Sequence, residues 1–417
     1  MDATSSTAGS SATRSSAAGP MPDEWCLREF DHVSPELAAV LPETLARMRS
    51  RCPVTHSEKH GGFWVVTKYE DVLNVAQDWA TFSSAHGLNI PPSKTHVRNI
   101  PVEVDPPEQR LYKRLINVHF TPKAIASWEQ PTRQLVTRLI DEFIERGECE
   151  FMDDFARPFP SQAFFELAIN APAEDLDKVA YMASKSSIPQ HPEGPQCWAG
   201  LSAWINNFVE QRRSQPPRGD VVDAMLTAEI DGRPLTQQEV VGIVQLLILG
   251  GLETTAGALG LMMLRFCRQP EIPELLRSHP ERIPKAVEEL LRLDSPFIAV
   301  ARTATRDTEL GGQQIKAGEK VLIYWASANH DGDEFPDPET FNPDRTSNRH
   351  IAFGAGPHRC IGSNVARMNI RIALEELMKR VKDIRLAEGA DIRFHSTLTR
   401  APLTLPITFT PGPRVGA

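Results

Sequence analysis

The most informative stretch of this chain is FGAGPHRCIG, residues 353–362. It carries one cysteine, Cys360, among three glycines, a proline, a histidine and an arginine. Glycine adopts backbone conformations closed to other residues and proline lacks an amide proton, so the stretch predicts a loop. The thiol of Cys360 could be a metal ligand, a nucleophile, half of a disulfide or a structural residue.

Spacing argues against several of these uses. GAGPHR at 354–359 begins like a dinucleotide-binding fingerprint, but Arg359 stands where the third glycine belongs. No second cysteine–histidine pair lies at zinc-ligand spacing. The six cysteines, at positions 26, 52, 149, 197, 267 and 360, form no CxxC and no disulfide framework. A reduced chain is the simpler interpretation, and we expect a cytoplasmic protein.

A thiolate suits the loop chemically. The sequence predicts a helix that starts at Cys360 and ends near Val381, so helix amides and the neighbouring Arg359 would favour the ionised sulfur. The glycines would let a flat ligand approach the backbone. An axial thiolate ligand of haem iron needs these conditions. A buried structural cysteine remains the alternative.

Composition limits the class of protein. The 417 residues are 41% hydrophobic with a net charge of −9, so a sizeable core is possible and a general nucleic-acid binder is disfavoured. Residues 1–20, rich in Ser and Ala, predict a disordered tail, followed by one large domain at 21–417. The most apolar stretch, Val240–Phe266, contains Glu253, which disfavours a membrane span. We therefore expect no membrane association.

The periodicity predicts a mainly α protein with a minor β portion. A capping box at Thr236–Glu239 opens a helix that runs to about Arg268, roughly 45–50 Å long. Short strands are predicted at Ala301–Leu310, Gln313–Ile315 and Lys320–Trp325. The absence of regular βαβ alternation in the sequence argues against a doubly wound sheet.

The loop, with three further motifs in order, resembles the cytochrome P450 family over residues 22–412. Each fixed position of the family signature Phe-Gly-x-Gly-x-His-x-Cys-x-Gly is filled, by Phe353, Gly354, Gly356, His358, Cys360 and Gly362. The resemblance implies a single-domain cytochrome P450 fold and haem b, iron protoporphyrin IX. It further implies that Cys360 is the iron ligand and that Phe353, Gly354 and Gly362 surround the cofactor.

The first further motif is EELLR at 288–292, which contains the family's ExxR. Glu289 and Arg292 are three residues apart on one helical face, so their side chains can pair. FNPDR at 341–345 is similar to the next family segment, and the resemblance implies that Arg345 completes a structural network. A solvated ion pair is the alternative for the ExxR residues.

The second is GGLETT at 250–255, within the long apolar helix. Paired glycines weaken a helix, and threonine hydroxyls compete for its carbonyls. The resemblance implies an opening there for O2, with Glu253 and Thr254 relaying protons. A tolerated glycine pair and a surface glutamate are the alternative.

The third is DPPEQRLYKRL at 105–115, which resembles the helix that crosses the haem edge. The family usually has His or Trp four residues before Arg, and these places fall on Gln109 and Lys113. Lys113 still supplies a positive charge for a haem propionate. Arg302 and His358 fit the other propionate positions, although each could be a surface residue.

The resemblance implies a haem-thiolate monooxygenase that inserts one oxygen atom from O2 into a small or medium apolar substrate, terpene-like or similar. The substrate contacts that family positions imply are Leu246, Leu249, Phe297, Ile298 and Leu398. Each of these residues could instead belong to the core.

The electrons are expected from a separate ferredoxin and its reductase, because the P450 domain fills the chain. A basic patch for an acidic ferredoxin could form from Arg110, Lys113, Arg114 and Arg359. A solvated helix face is the alternative interpretation of these charges. We expect a monomer. A peroxide-using or rearranging haem-thiolate enzyme and a non-enzymatic haem sensor are the alternative functions.

Overall fold

The computed structural model describes residues 28–92, 97–187 and 191–416. The tail predicted at 1–20 lies outside the described residues. The helices of the described part are, in chain order, α1 (Pro35–Arg51), α2 (Tyr69–Gln77), α3 (Glu108–Asn117), α4 (Pro122–Ile125), α5 (Glu129–Phe143), α6 (Pro158–Ala163), α7 (Leu176–Ser187), α8 (Gly194–Ser214), α9 (Val221–Thr227), α10 (Gln237–Arg268), α11 (Glu271–Ser278), α12 (Ile283–Leu293), α13 (Trp325–Ala328) and α14 (Ser363–Arg380). Two π-helical segments, Met152–Ala156 and Phe164–Ala168, flank α6. The predicted fold class, mainly α with a minor β portion, is confirmed.

The central helix α10 begins as the sequence predicts. The side chain of Thr236 accepts the Glu239 amide at 3.2 Å, and the Glu239 carboxylate accepts the Thr236 amide at 2.7 Å. This capping box satisfies two of the amides that a helix start leaves unpaired. The helix has 32 residues, about 48 Å at 1.5 Å per residue.

Helix α10 is also the one helix of the described residues that is long and apolar enough to cross a membrane by length and composition. Of its most apolar 18-residue window, 67% is buried inside the protein. Burial on that scale is what a helix running through a protein core shows.

The β portion consists of one five-stranded sheet and several short pairs. The strands are β1 (Val54–Ser57), β2 (Phe63–Val66), β3 (Phe82–Ser83), β4 (Glu148–Glu150), β5 (Glu229–Ile230), β6 (Arg233–Pro234), β7 (Ala299–Ala304), β8 (Thr308–Leu310), β9 (Gln313–Ile315), β10 (Lys320–Tyr324), β11 (Lys382–Leu386), β12 (Phe394–Ser396), β13 (Arg400–Pro402) and β14 (Pro406–Thr410). The large sheet has the order β1-β2-β10-β7-β3, and only the β2–β10 pair in it is parallel.

The strand predicted at Ala301–Leu310 is two strands with different partners. The first part belongs to β7, which pairs with β10, whereas β8 turns back on β9 through Gly311 and Gly312. Both glycines have positive φ, 53° and 76°, which is the backbone that a tight hairpin turn requires. The prediction of one continuous strand was therefore wrong, because the residues between β7 and β8 leave the sheet.

Helix α14 begins at Ser363, with Gly362 as its N-cap residue. The sequence analysis expected this helix to start at Cys360, which the structure corrects. Gly356–His358 instead forms a short 3-10 turn, and Cys360 lies between that turn and the helix. The cysteine is therefore displayed from a loop that precedes the helix.

Candidate active site

One cavity brings together residues from α10, the segment after α12, β7 and the cysteine loop, defined as residues 353–362. Of the predicted site residues, its lining includes Lys113, Leu246, Thr254, Phe297, Arg302, Phe353, Gly354, His358, Cys360 and Gly362. The rest of the lining is mainly apolar, with Phe164, Leu247 and Val300 among its members. An enclosed apolar space with a few polar groups is the usual form of a cofactor and substrate site.

The backbone of the cysteine loop is held by its own hydrogen bonds. The Cys360 amide donates to the Phe353 carbonyl at 2.9 Å, which closes the loop on itself. Gly354 and Gly356 have φ of 70° and 66°. A Cβ on Gly356 would lie 2.4 Å from the Ala76 carbonyl oxygen of α2. Gly356 is thus required by the packing of the loop on α2, rather than by clearance for a cofactor.

Cys360 has accessible surface although protein surrounds it on nearly all sides, and that surface faces the cavity. Burial raises the pKa of the Cys360 thiol, while the Gly362 amide and the charges of Lys113 and Arg359 act in the opposite direction. The Gly362 amide at the helix end and Arg359 therefore act in the direction that the sequence analysis expected, and burial is the larger opposing effect. Coordination to a cation would supply the missing stabilisation.

The ExxR residues form a fully buried network behind the loop. The guanidinium of Arg292 donates to both oxygens of Glu289, at 2.8 and 2.9 Å, and neither side chain is exposed. Arg345 donates to the same carboxylate at 3.3 Å. Arg292 also donates to the carbonyls of Asn329 and Pro338. These extra hydrogen bonds offset the cost of burying the charges.

A second cluster beside this network was not recognised in the sequence. Arg367 on α14 donates to both oxygens of Glu288, at 2.6 and 2.7 Å, and its guanidinium lies 4.3 Å from the centre of the Phe353 ring. His350 contacts the same carboxylate at 3.0 Å. Burial opposes ionisation, but these hydrogen bonds outweigh it and lower the pKa of Glu288 to about 2. The cluster ties the start of the cysteine loop to α12 and α14.

Arg302 and His358 fit an anionic group of a cofactor. Arg302 is 3% exposed, and its guanidinium donates to the carbonyl of Ala301. Burial lowers the pKa of Arg302 to about 10, and Asp105 is the acid that partly offsets this. Burial and the charge of Arg302 lower the pKa of His358 to about 3.

Two buried nitrogen atoms that lack hydrogen-bond partners in the described part of the chain also fit an anionic group of a cofactor. Nδ1 of His358 and Nε1 of Trp325 are buried and have no hydrogen-bond partner among the described residues. Both residues line the cavity, as Arg302 does. Buried polar atoms normally have partners, and a haem propionate would supply acceptor oxygens here. The residues present therefore fit haem, with Trp325 as a candidate that the sequence analysis missed.

Lys113 is turned toward the cysteine loop. Its amine donates to the carbonyls of Pro357 and Arg359, the latter at 2.8 Å, and burial lowers its pKa. Gln109 donates to the same Pro357 carbonyl at 2.8 Å. The two residues at the family's haem-edge positions thus join α3 to the loop.

Thr254 and Glu253 lie on different sides of α10. The Thr254 hydroxyl lines the cavity and donates to the Gly250 carbonyl at 2.8 Å. Glu253 is only 6% exposed, is not part of the cavity lining, and lies 3.4 Å from Nε2 of His395 on β12. Adjacent helical residues project about 100° apart, which explains the different surroundings.

Three expected substrate contacts do not line the cavity. Ile298 belongs to another core cluster with Phe30 and Tyr324, because successive residues of the extended segment before β7 point to opposite sides. Leu249 packs against a helical cluster, and the Leu398 carbonyl accepts the Ile298 amide at 2.8 Å. Leu246 and Phe297 line the cavity, and the other three substrate contacts stay predictions.

Comparison with known proteins gives a consistent family. The family model "Cytochrome P450" matches residues 176–384. The putative cytochrome P450 YjiB of Bacillus subtilis (strain 168) is 34% identical over 79% of this chain and 85% of its own length. The steroid C26-monooxygenase of Mycolicibacterium smegmatis is 30% identical over 87% of this chain and 91% of its own length.

Solved structures of cytochrome P450 proteins have the same fold as this chain. The structure of a P450 EryK mutant in complex with erythromycin B superposes with a TM-score of 0.82 and 29% identity, covering 91% of this chain and 98% of that one. The ligand-free structure of cytochrome P450 TbtJ1 has a TM-score of 0.79 and 33% identity, covering 89% of this chain and 98% of that one.

A mainly α fold that displays a cysteine into an apolar cavity suits an axial thiolate ligand of haem. With these relatives, the chain belongs to the cytochrome P450 family, whose members bind haem, and it is a monooxygenase of that family.

Proposed function

We propose that this enzyme uses haem b to insert one oxygen atom from O2 into a small or medium apolar substrate, terpene-like or similar. One observation carries the proposal: Cys360 and Thr254 share a cavity whose remaining walls are mainly apolar. When bound, haem supplies the oxygen activation and the insertion chemistry. One relative is named a steroid C26-monooxygenase, and the structure of another was solved in complex with erythromycin B.

The chain's own residues have separate tasks in this proposal. Cys360 would ligate the iron through its sulfur, and Arg302, His358 and Trp325 would hold the propionates. Thr254 presents a hydroxyl on the cavity wall, and its bond to the Gly250 carbonyl fixes the oxygen's direction. While its proton is donated to that carbonyl, the Thr254 oxygen can accept a hydrogen bond from the cavity, and it can donate there only after leaving the carbonyl. Glu253 is the proposed proton source for this step.

Substrate class is tested by the spin state of the ferric haem. A panel of monoterpenes, sesquiterpenes and sterols is titrated, and a low- to high-spin shift identifies the compounds that enter the cavity. For a compound that binds, Leu246→Ala removes apolar contact and weakens binding about 10-fold. Leu249→Ala is the matched control, because that leucine does not line the cavity. Equal effects of the two variants would refute the proposed location of the substrate.

The proposed electron donor is a ferredoxin. Arg110, Arg114 and Arg359 are exposed, and Lys113 joins their helix to the cysteine loop. An acidic protein would be attracted to these charges, with a rate that falls as salt rises. Arg110→Glu combined with Arg114→Glu should slow reduction by ferredoxin at least 10-fold at low salt while leaving reduction by dithionite unchanged. Unchanged ferredoxin reduction would remove this surface from the proposal.

Turnover separates the alternative functions. We expect product from a bound substrate when NADH, ferredoxin and reductase are supplied with O2. Product formation with peroxide alone would favour a peroxide-using enzyme. A bound haem without turnover under either condition would favour a sensor.

A further inference from the structure

The acidic residue of the GGLETT motif contacts a histidine from the far end of the chain. Oε1 of Glu253 on α10 lies 3.4 Å from Nε2 of His395 on β12. The two side chains are 8% and 3% exposed. A carboxylate is costly to bury without a partner, so this contact needs an explanation.

Two glycines bring α10 close enough for the contact. Gly257 and Gly260 follow Glu253 by four and seven residues, which puts all three on one helical face. A Cβ on Gly257 would lie 3.3 Å from the Ala401 Cβ of β13, and one on Gly260 would lie 3.4 Å from Cδ of Pro402 in the same strand. The β12–β13 hairpin therefore packs directly on this face of α10.

The hairpin is also connected to the cavity wall. Phe297, which lines the cavity, forms a β-bridge with Thr399. The hydroxyl of Thr399 lies 3.3 Å from Nε2 of His395. His395 is thus placed between the carboxylate of Glu253 and a hydroxyl that is anchored beside the substrate cavity.

Burial and the neighbouring charges set the protonation state of His395. Burial lowers the pKa of His395, and Arg157 and Arg400 act in the same direction, whereas the carboxylate of Glu253 raises it. The imidazole is therefore neutral at pH 7. A carboxylate can only accept hydrogen bonds, so the tautomer that suits the contact carries its proton on Nε2.

We propose that His395 is the positioning residue for Glu253, holding its carboxylate against the β12–β13 hairpin. The hairpin that borders the substrate cavity therefore controls the residue that supplies protons. This inference rests on the proposed monooxygenase function of Glu253 and Thr254.

The contact itself is tested by NMR on the intact, haem-loaded ferrous-CO protein. With ¹⁵N-labelled histidine, His395→Gln identifies the His395 signals by their loss. Glu253→Gln removes the carboxylate charge and is expected to lower the pKa of His395. An unchanged His395 titration in Glu253→Gln would overturn the proposal, whatever the enzyme's activity.

The functional consequence is tested by the ratio of product formed to NADH used. His395→Phe keeps a ring but removes the polar contact, and we expect this ratio to fall about 5- to 10-fold. His395→Gln restores a donor near the position of Nε2 and should recover most of the loss. In a Glu253→Gln background, His395→Phe should cause no further loss, because the two residues act as one unit.

A control variant and distinct outcomes test the role of His395 separately from the proposed monooxygenase function. His279 lies 3.2 Å from Glu281 in an exposed pair, and His279→Phe should leave the ratio unchanged. An undiminished ratio in His395→Phe, or the same loss with and without Glu253, would overturn the positioning role. A wild-type protein that forms product with no electron donor other than peroxide would instead contradict the proposed function, and the NMR result would stand.

Discussion

Gly356→Ala is the substitution whose effect the structure defines most sharply. The new methyl group would lie 2.4 Å from the Ala76 carbonyl oxygen and 3.1 Å from the Cα of Gln77. Both neighbours are backbone atoms at the end of α2, so no side-chain rotation relieves the contact. The cysteine loop and α2 must separate by about 1 Å to reach ordinary contact distance.

Two effects set the loss of folding stability in Gly356→Ala. An alanine at φ of 66° costs about 1–2 kcal/mol, and overpacking adds about 1–3 kcal/mol. Gly312→Ala provides the control, because Gly312 has φ of 76° and nothing within 4 Å of its added Cβ. The difference between the variants isolates the clash, about 1–3 kcal/mol. An unfolding entropy of about 2.1 cal/mol/K per residue then predicts a difference in Tm of about 1–3 °C.

The assay is thermal unfolding of the haem-loaded variants, followed by the ferrous-CO spectrum. Gly356→Ala should melt below Gly312→Ala and lose part of the red-shifted Soret band, because Cys360 moves with the loop. Equal melting temperatures of the two variants, or an intact band in both, would refute the packing argument.

Three further outcomes are expected. Thr254→Ala should uncouple NADH use from product and release peroxide, since the cavity hydroxyl is lost; fully coupled turnover would contradict its role. Arg302→Leu should speed haem transfer to apomyoglobin about 10-fold by removing the buried cation that is proposed to hold the propionates, and an unchanged rate would exclude that function. The lowered pKa of Glu288 contributes stability that is fully present above about pH 4.5 and lost as pH falls toward 2. Glu288→Gln should therefore flatten Tm against pH in that window by the equivalent of about 2 kcal/mol, and a profile parallel to wild type would contradict the assignment.

The sequence predicted those features of the fold and the site that depend only on residues close together in the chain. The Thr236 capping box and the extent of α10 are confirmed because a helix start is built from residues within one turn. The cysteine loop was recognisable for the same reason, since its glycines and its cysteine lie within ten positions.

Properties set by distant residues were not predictable. The pKa of Cys360 is raised by burial in the whole cavity, an effect that the adjacent Arg359, which lowers this pKa as expected, gave no means to predict. Glu253 lies 3.4 Å from His395, which is 142 positions away, and helical periodicity predicts which face a residue occupies but not what packs against that face. Ile298 and Phe297 are adjacent in sequence but face opposite sides of the backbone, which family position alone did not resolve.

The central claim is that Cys360 ligates haem iron. The most direct measurement is the reduced, CO-bound absorption spectrum of wild type, Cys360→Ala and the control Cys267→Ala, whose cysteine is not part of the cavity lining. We predict the red-shifted Soret band of thiolate ligation in wild type and in Cys267→Ala, and its loss in Cys360→Ala. An unchanged band in Cys360→Ala would contradict the assignment.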